Sequence, residues 1–283
     1  MKIVALLILM MVMVFSIVTT ITPGSDGYNK PNPVAEIGKE IVKPLSQVDD
    51  IGPEISQALE RSGVKLPSLS PKKDDASLDA GHMLADHTGA VFSNLDLPRT
   101  NFAGSNVAAA QFNGALLDDA IMEGASGEQV NFNNARMAKA NLNAVIFPNS
   151  DFTGAELREA VARASDLSGS KFTGGDVSFG SFSGAILRNA DFSGVYGAGA
   201  IFVDSDLTGA AFEKADLTGV RFDRAILRGA AFNGANLQAA QFFGTRLQGA
   251  DLSGALNLTT EQLAPACANE STKLPAGVAA TRC

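Results

Sequence analysis

Residues 206–240 read DLTGA AFEKA DLTGV RFDRA ILRGA AFNGA NLQAA, seven blocks of five with a large apolar residue second and a small one fifth. The same phase extends without insertion from Val91 to Ala255, 33 blocks in all. The second slot is Phe in 14 blocks and Leu in 12, and the fifth is Ala in 19. The first slot favours Asp, Asn and other polar residues, and the fourth is often Gly. An amphipathic helix repeats its apolar face about every 3.6 residues and a half-buried strand about every 2, so a period of five fits neither. It fits a chain that turns a corner once per block, where Gly and small polar residues are at ease.

A longer period lies beneath the first. Phe stands at 172, 182, 192, 202, 212, 222, 232 and 242, and Leu at 167, 187, 207, 217, 227, 237 and 247. If four blocks close one square turn, Phe lines two opposite walls and Leu the other two. Residues twenty apart then stack, and the column of Phe92, Phe112 and Phe132 continues through Phe152, Phe172, Phe192, Phe212 and Phe232. No single coil could bury its own apolar face, so stability must come from stacked neighbours. Each buried Phe or Leu contributes about 1.5–3 kcal/mol. At a rise of roughly 4.8 Å per coil the blocks make a rod on the order of 40 Å long.

These blocks resemble the pentapeptide-repeat family, whose pattern is A(D/N)LXX. Ala215-Asp216-Leu217-Thr218-Gly219 and Ala235-Asn236-Leu237-Gln238-Ala239 fit it closely. The resemblance implies an all-β solenoid, a right-handed quadrilateral β-helix of about eight coils. Gly127, Ala162 and Gly197 depart from the pattern because the large residue is missing there. Either a neighbour fills each gap or these coils form a binding notch.

The chain divides into four parts: residues 1–22, a Pro-rich linker with short helices over 23–80, the repeats over 81–255, and an ending over 256–283. Residues 3–22 carry no charge and are long enough to span a bilayer as a helix. No convincing small-x-small cleavage site follows, which favours an uncleaved anchor over a secretory signal. The expectation is a single-pass protein of a bacterial inner membrane with its repeats outside the cytoplasm, the alternative being a periplasmic or secreted protein after signal cleavage. Seven of the eleven prolines fall in 23–80. The degenerate coils of 81–90 hold His82 and His87, expected in large-residue or surface roles.

After the last block, Thr259 with Gln262 three residues on resembles a capping box, which predicts a short helix over 260–268 that covers the final coil with Leu263 and Ala264. Cys267 and Cys283, the only two cysteines, read as a disulfide in an exported chain, the alternative being two free thiols.

No P-loop, nucleophile elbow, zinc-protease or dinucleotide motif is present, so no catalytic residue, cofactor or metal site is expected and the protein is read as a non-enzyme. The chain carries a formal charge of −8, and the repeats lack the basic patch that direct nucleic-acid binding needs. Two readings of function remain. The first is a membrane-anchored or exported scaffold whose rod presents flat faces to an unknown protein partner or to a second copy in a homodimer. Ile146, Ile186, Ile226 and Tyr196 are its candidate contacts, over a core ladder of Phe152, Phe172, Phe192, Phe212 and Phe232. The resemblance implies the second, an acidic rod that mimics duplex DNA and inhibits a type II topoisomerase. The outward column Asp151, Lys171, Asp191, Ala211, Ala231 and Asp251 is too mixed in charge to favour it.

Overall fold

The computed structural model describes residues 82–283. The membrane segment expected over 3–22 and the linker helices expected over 23–80 lie outside those residues. From Asp86 to Asn236 every first-slot residue pairs in parallel with the residue twenty further on, in four ladders. Blocks beginning at Val91, Asp96, Asn101 and Asn106, and every twenty residues thereafter, form walls 1, 2, 3 and 4 of a four-sided solenoid. Walls 1 and 3 are opposite, as are walls 2 and 4.

The block Asp151–Ala155 shows why five residues suffice. The amide of Asp151 donates to Val130 of the coil before at 2.9 Å. The amides of Phe152 and Gly154 donate to Lys171 and Thr173 of the coil after, at 2.7 and 3.0 Å. The amide of Ala155 closes the corner on the Phe152 carbonyl at 3.0 Å. Only the third-slot amide, on Thr153, lacks a backbone acceptor, and the Asp151 carboxylate takes it at 2.9 Å. A full account of backbone donors therefore explains the first-slot preference. Asn101, Asn131, Asn141, Asp166, Asp191 and Asp206 make the same bond. The two prolines inside the repeats, Pro98 and Pro148, both sit in the third slot, where lacking an N–H leaves no amide unpaired.

The corner needs a left-handed residue. Every fourth slot from Asn94 to Gly249 has positive φ, at 15 glycines and 17 other residues. An L-residue there costs roughly 1–2 kcal/mol, which explains the frequent Gly, and the coil's two inter-coil bonds flanking each corner offset the cost elsewhere.

Second and fifth slots point inward and fill the core. On wall 1 the eight Phe rings from Phe92 to Phe232 stack with centroids 4.6–5.2 Å apart and planes within 2–13°. The spacing is set by the coil rise, and the stack is offset enough to be attractive. On wall 3, Phe182, Phe202, Phe222 and Phe242 form a second stack at 5.2–5.6 Å. The two stacks meet edge to face, as Phe192 and Phe202 do at 5.5 Å and 81°. The expected Phe on two opposite walls therefore holds in the C-terminal half. Toward the N-terminus wall 3 carries Met122, Leu142 and Ala162 instead, and a buried Phe147 on wall 4 leans on Phe132 at 5.7 Å. In buried fifth slots Ser105, Ser165, Ser170, Ser205 and Thr245 donate to backbone carbonyls, as Ser205 does to Phe202 at 2.7 Å.

After the last block, helix α1 spans Thr260–Leu263. Thr259 and Gln262 form the expected capping box, and Gln262 Nε2 also donates to the open carbonyls of Leu237 and Ala240 at 2.8 and 3.0 Å. The helix is four residues long rather than the nine of 260–268, because Pro265 follows Ala264 and the chain returns to ladder pairing at Arg246↔Cys267. Leu263 is buried as expected, but Ala264 faces out, and Ala266 and Ala268 fill the space beside the last coil. Cys267 and Cys283 are bonded to each other, with Cα atoms 5.5 Å apart.

Candidate contact faces

Outward side chains come from the first, third and fourth slots, so each wall is a flat ladder of rungs about 4.8 Å apart. On wall 4 the bridges Ile146↔Asp166, Asp166↔Ile186, Ile186↔Asp206 and Asp206↔Ile226 make one alternating strip of Ile and Asp. Ile146 and Ile186 are 53% and 41% exposed, whereas Ile226 is half-buried. Tyr196 does not join them. It pairs with Asp176 and Asp216 on wall 2, the opposite side of the rod, because it lies an odd number of half-turns from the isoleucines. The four candidate contacts thus fall on two faces.

An apolar first slot has a local cost. Pro148 removes the orphan amide beside Ile146, but the third-slot amides of Arg188, Arg228 and Ala198, beside Ile186, Ile226 and Tyr196, have no protein acceptor among the described residues. These positions give up a hydrogen bond that Asp or Asn would supply and expose apolar surface in its place.

Three first-slot carboxylates, Asp191, Asp206 and Asp251, are held ionised by the same geometry. Partial burial works against the charge of Asp206, but hydrogen bonds from Thr208 and Arg188 outweigh it and lower the carboxyl below its usual range. Asp191 is lowered in the same way, with bonds from Ser193 and Thr173 overcoming burial. At the exposed end, Ser253 and then Lys273 hold Asp251 down at about 2. Ion pairs break up the charge on the faces. Arg136 joins Asp118 at 2.6 Å and Glu156 at 3.7 Å, Arg188 joins Asp206 at 2.7 Å, and Arg224 joins Asp204 at 2.6 Å.

The core ladder Phe152, Phe172, Phe192, Phe212 and Phe232 is wholly inside the rod and offers nothing to a partner. Gly127, Ala162 and Gly197 are all buried and open no notch. A Cβ on Gly127 would come within 2.6 Å of the Ala108 backbone, and one on Gly197 within 3.1 Å of Leu217 Cδ2, so neighbours already fill both gaps. His82 and His87 occupy large slots at the N-terminal coil, 3.2 Å apart, and pack on Phe92 and Phe102. Burial and then the neighbouring His87 push the His82 imidazole below its usual value. Among the described residues no three His, Cys, Asp or Glu are placed to hold a metal. Two exposed aromatics escape the sequence reading: Phe179 at 57% and Phe243 at 65%. Their signal was a Phe outside the second slot, in DVSFG and QFFGT, which reads as noise until the slot directions are known.

The fold and these faces define a stacked-coil solenoid with flat sides. The chain belongs to the pentapeptide-repeat family: the family described as "Pentapeptide repeats" matches in eight copies over residues 85–124, 110–147, 135–174, 181–213, 205–240 and 215–254. No curated protein sequence matches it. Among solved structures it is similar to HetL from the cyanobacterium Nostoc sp., a pentapeptide repeat protein involved in heterocyst differentiation regulation. That likeness has 27% identity, covers 59% of this chain and 84% of that one, and has a TM-score of 0.42. It is also similar to QnrB1, a plasmid-mediated fluoroquinolone resistance protein, at 18% identity over 67% of this chain and 93% of that one with a TM-score of 0.48. Among the described residues no helix is long and apolar enough to cross a membrane.

Proposed function

We propose that this chain is a non-enzymatic scaffold, held at or exported across a membrane through residues 3–22, whose rigid rod presents wall 4 to a protein partner. The observation that supports the reading most is the strip of Ile146, Ile186 and Ile226 alternating with Asp166 and Asp206. Ile186 and Ile226 occupy slots where the fold itself favours an acceptor, so their apolar side chains are unexplained by the solenoid's own needs. A duplex-mimic reading gains no support from the faces, because Arg136, Arg188 and Arg224 interrupt the carboxylates.

The membrane part is tested by protease treatment of intact and lysed spheroplasts. Trimming of the rod in intact cells is expected, and protection until lysis would reverse the topology. The contact part is tested by Ile186→Asp with Ile226→Asp. Either Asp would supply the missing acceptor for its third-slot amide, so folding should hold by circular dichroism. Cross-links formed in vivo from wall 4 should disappear in that variant; unchanged cross-links would remove wall 4 from the reading.

A further inference from the structure

Phe179 is the one residue of the rod that breaks two rules at once. It is an exposed aromatic, and it stands in the left-handed corner at φ 58°, where glycine is the commonest choice. Seventeen corners of the rod carry a non-glycine residue, so the positive φ is shared, and what sets Phe179 apart is its exposed ring. The next coil accommodates it. The Phe179 amide donates to the Ala198 carbonyl at 3.0 Å, and the ring lies over Gly199, where a Cβ would meet it at 2.8 Å. Gly199 belongs to the block YGAGA, in which Tyr196 is 63% exposed. Two exposed aromatic rings thus share wall 2 on adjacent coils.

Carboxylates bracket them. Asp176 and Asp216 are the ladder neighbours of Tyr196 on either side. One oxygen of each is fixed by the following turn, Asp176 Oδ1 by the Ser178 amide at 2.9 Å and Asp216 Oδ1 by Thr218 at 2.7 Å. Among the described residues neither carboxylate has a cationic partner, whereas Glu156 and Glu159 on the same wall face Arg136 and Lys139 at 3.7 and 4.0 Å. The four stacked blocks from Glu156 to Val220 on this wall hold four carboxylates against one guanidinium, that of Arg158. Arg158 itself lies 5.8 Å from the centroid of the Phe179 ring, so the ring already receives a guanidinium from within the chain.

We propose that Phe179, Tyr196, Asp176 and Asp216 form a docking site for an arginine- or lysine-bearing segment of a protein partner. Ring faces attract a cation through their quadrupole, and the two carboxylates supply the charge that fixes it. The site refines the scaffold reading by naming a partner chemistry, and it lies on the wall opposite the isoleucine strip.

The chain offers its own reporter. It has no Trp and only two tyrosines, Tyr28 and Tyr196. In the full-length protein carrying Tyr28→Phe, intrinsic fluorescence reports Tyr196 alone. Acetyl-tetra-arginine amide is titrated in, with tetra-glutamate and tetra-glutamine peptides as controls. A saturable change is expected with the arginine peptide only. Asp176→Asn with Asp216→Asn keeps the turn acceptors and should weaken binding by about tenfold, as should Phe179→Gly, which relieves the corner and so leaves folding intact. Ile186→Asp should leave this titration unchanged, so failure of the wall 4 reading and failure of this site are separable. Absence of a saturable change, or binding that survives the double Asp→Asn variant, would overturn the proposal.

Discussion

The two halves of the rod share one backbone and differ in how they hold it. From Val91 to Ser165, 11 of 15 corners carry a non-glycine residue at positive φ; from Asp166 to Ala255 only 6 of 18 corners lack Gly. The second half also has Phe182, Phe202, Phe222 and Phe242 stacked on wall 3, where the first half has Phe102 followed by Met122, Leu142 and Ala162. Asn serves the first slot four times in the first half, whereas Asp serves it six times in the second. A solenoid tolerates this because each coil answers only to its neighbours. The first half spends more strain on fewer aromatic contacts. Amide exchange should therefore show lower protection over 91–165 than over 166–255, and equal protection would mean the differences cancel.

The largest effect should come from breaking the aromatic lattice where it is complete. Phe192 stacks on Phe172 and Phe212 and meets Phe182 and Phe202 edge to face. Phe192→Ala should cost about 3–5 kcal/mol in denaturant unfolding. A near-neutral result would contradict the stacking register itself.

A smaller effect separates two glycines in the same slot. A Cβ on Gly127, in the first half, would come within 2.6–2.7 Å of the backbone of Val107 and Ala108, so Gly127→Ala must move a coil and should cost about 1–3 kcal/mol. A Cβ on Gly197, in the second half, would meet the flexible end of Leu217 at 3.1 Å. Gly197→Ala should therefore cost under about 1 kcal/mol. Melting temperatures of the two variants, side by side, decide the point.

The contrast also explains what the sequence could and could not tell. The block period and the Phe column were legible because inward slots are filled by one kind of residue. The reason for Asp or Asn outside was not, since it depends on which amide the coil leaves unpaired. Tyr196 shares the outward first slot with the isoleucines, and counting blocks in fours places it on the opposite wall, half a turn from Ile186. Phe179 was invisible because a fourth-slot Phe has meaning only once that slot is known to be left-handed. The helix after the repeats was foreseen from Thr259 and Gln262, but its length was not, because ladder pairing at Cys267 competes with further turns.

Next in size are the strained corners. Ala109, Ala144 and Ala164, all in the first half, sit at φ 52–56°. Replacement by Gly removes roughly 1–2 kcal/mol of left-handed strain and adds about 0.5–1 kcal/mol of unfolded-chain entropy. Each substitution should stabilise by about 0.5 kcal/mol on balance, and the three together should narrow the difference in amide protection between the halves. Destabilisation by the triple variant would show that corner strain is not what separates them.

The smallest effect per residue is the most diagnostic of the first slot. Asp191, Asp206 and Asp251 are held below their usual pKa, Asp251 at about 2, by bonds to the turn they cap. A depressed carboxyl contributes stability that is fully present above its unfolded pKa, near 4, and is lost as pH falls through the folded value. Those groups are only partly buried, so solvent screens them and each contributes little, but they lie together in the second half. The asparagines of the first half do not titrate. Lowering the pH from about 5 to about 2 should therefore erode protection more over 166–255 than over 91–165, narrowing the difference expected at neutral pH. Asp191→Asn with Asp206→Asn keeps both acceptors and should make that half less sensitive to acid. If the variant loses protection over the same pH range as the parent chain, the acid response belongs to some group other than the first-slot carboxylates.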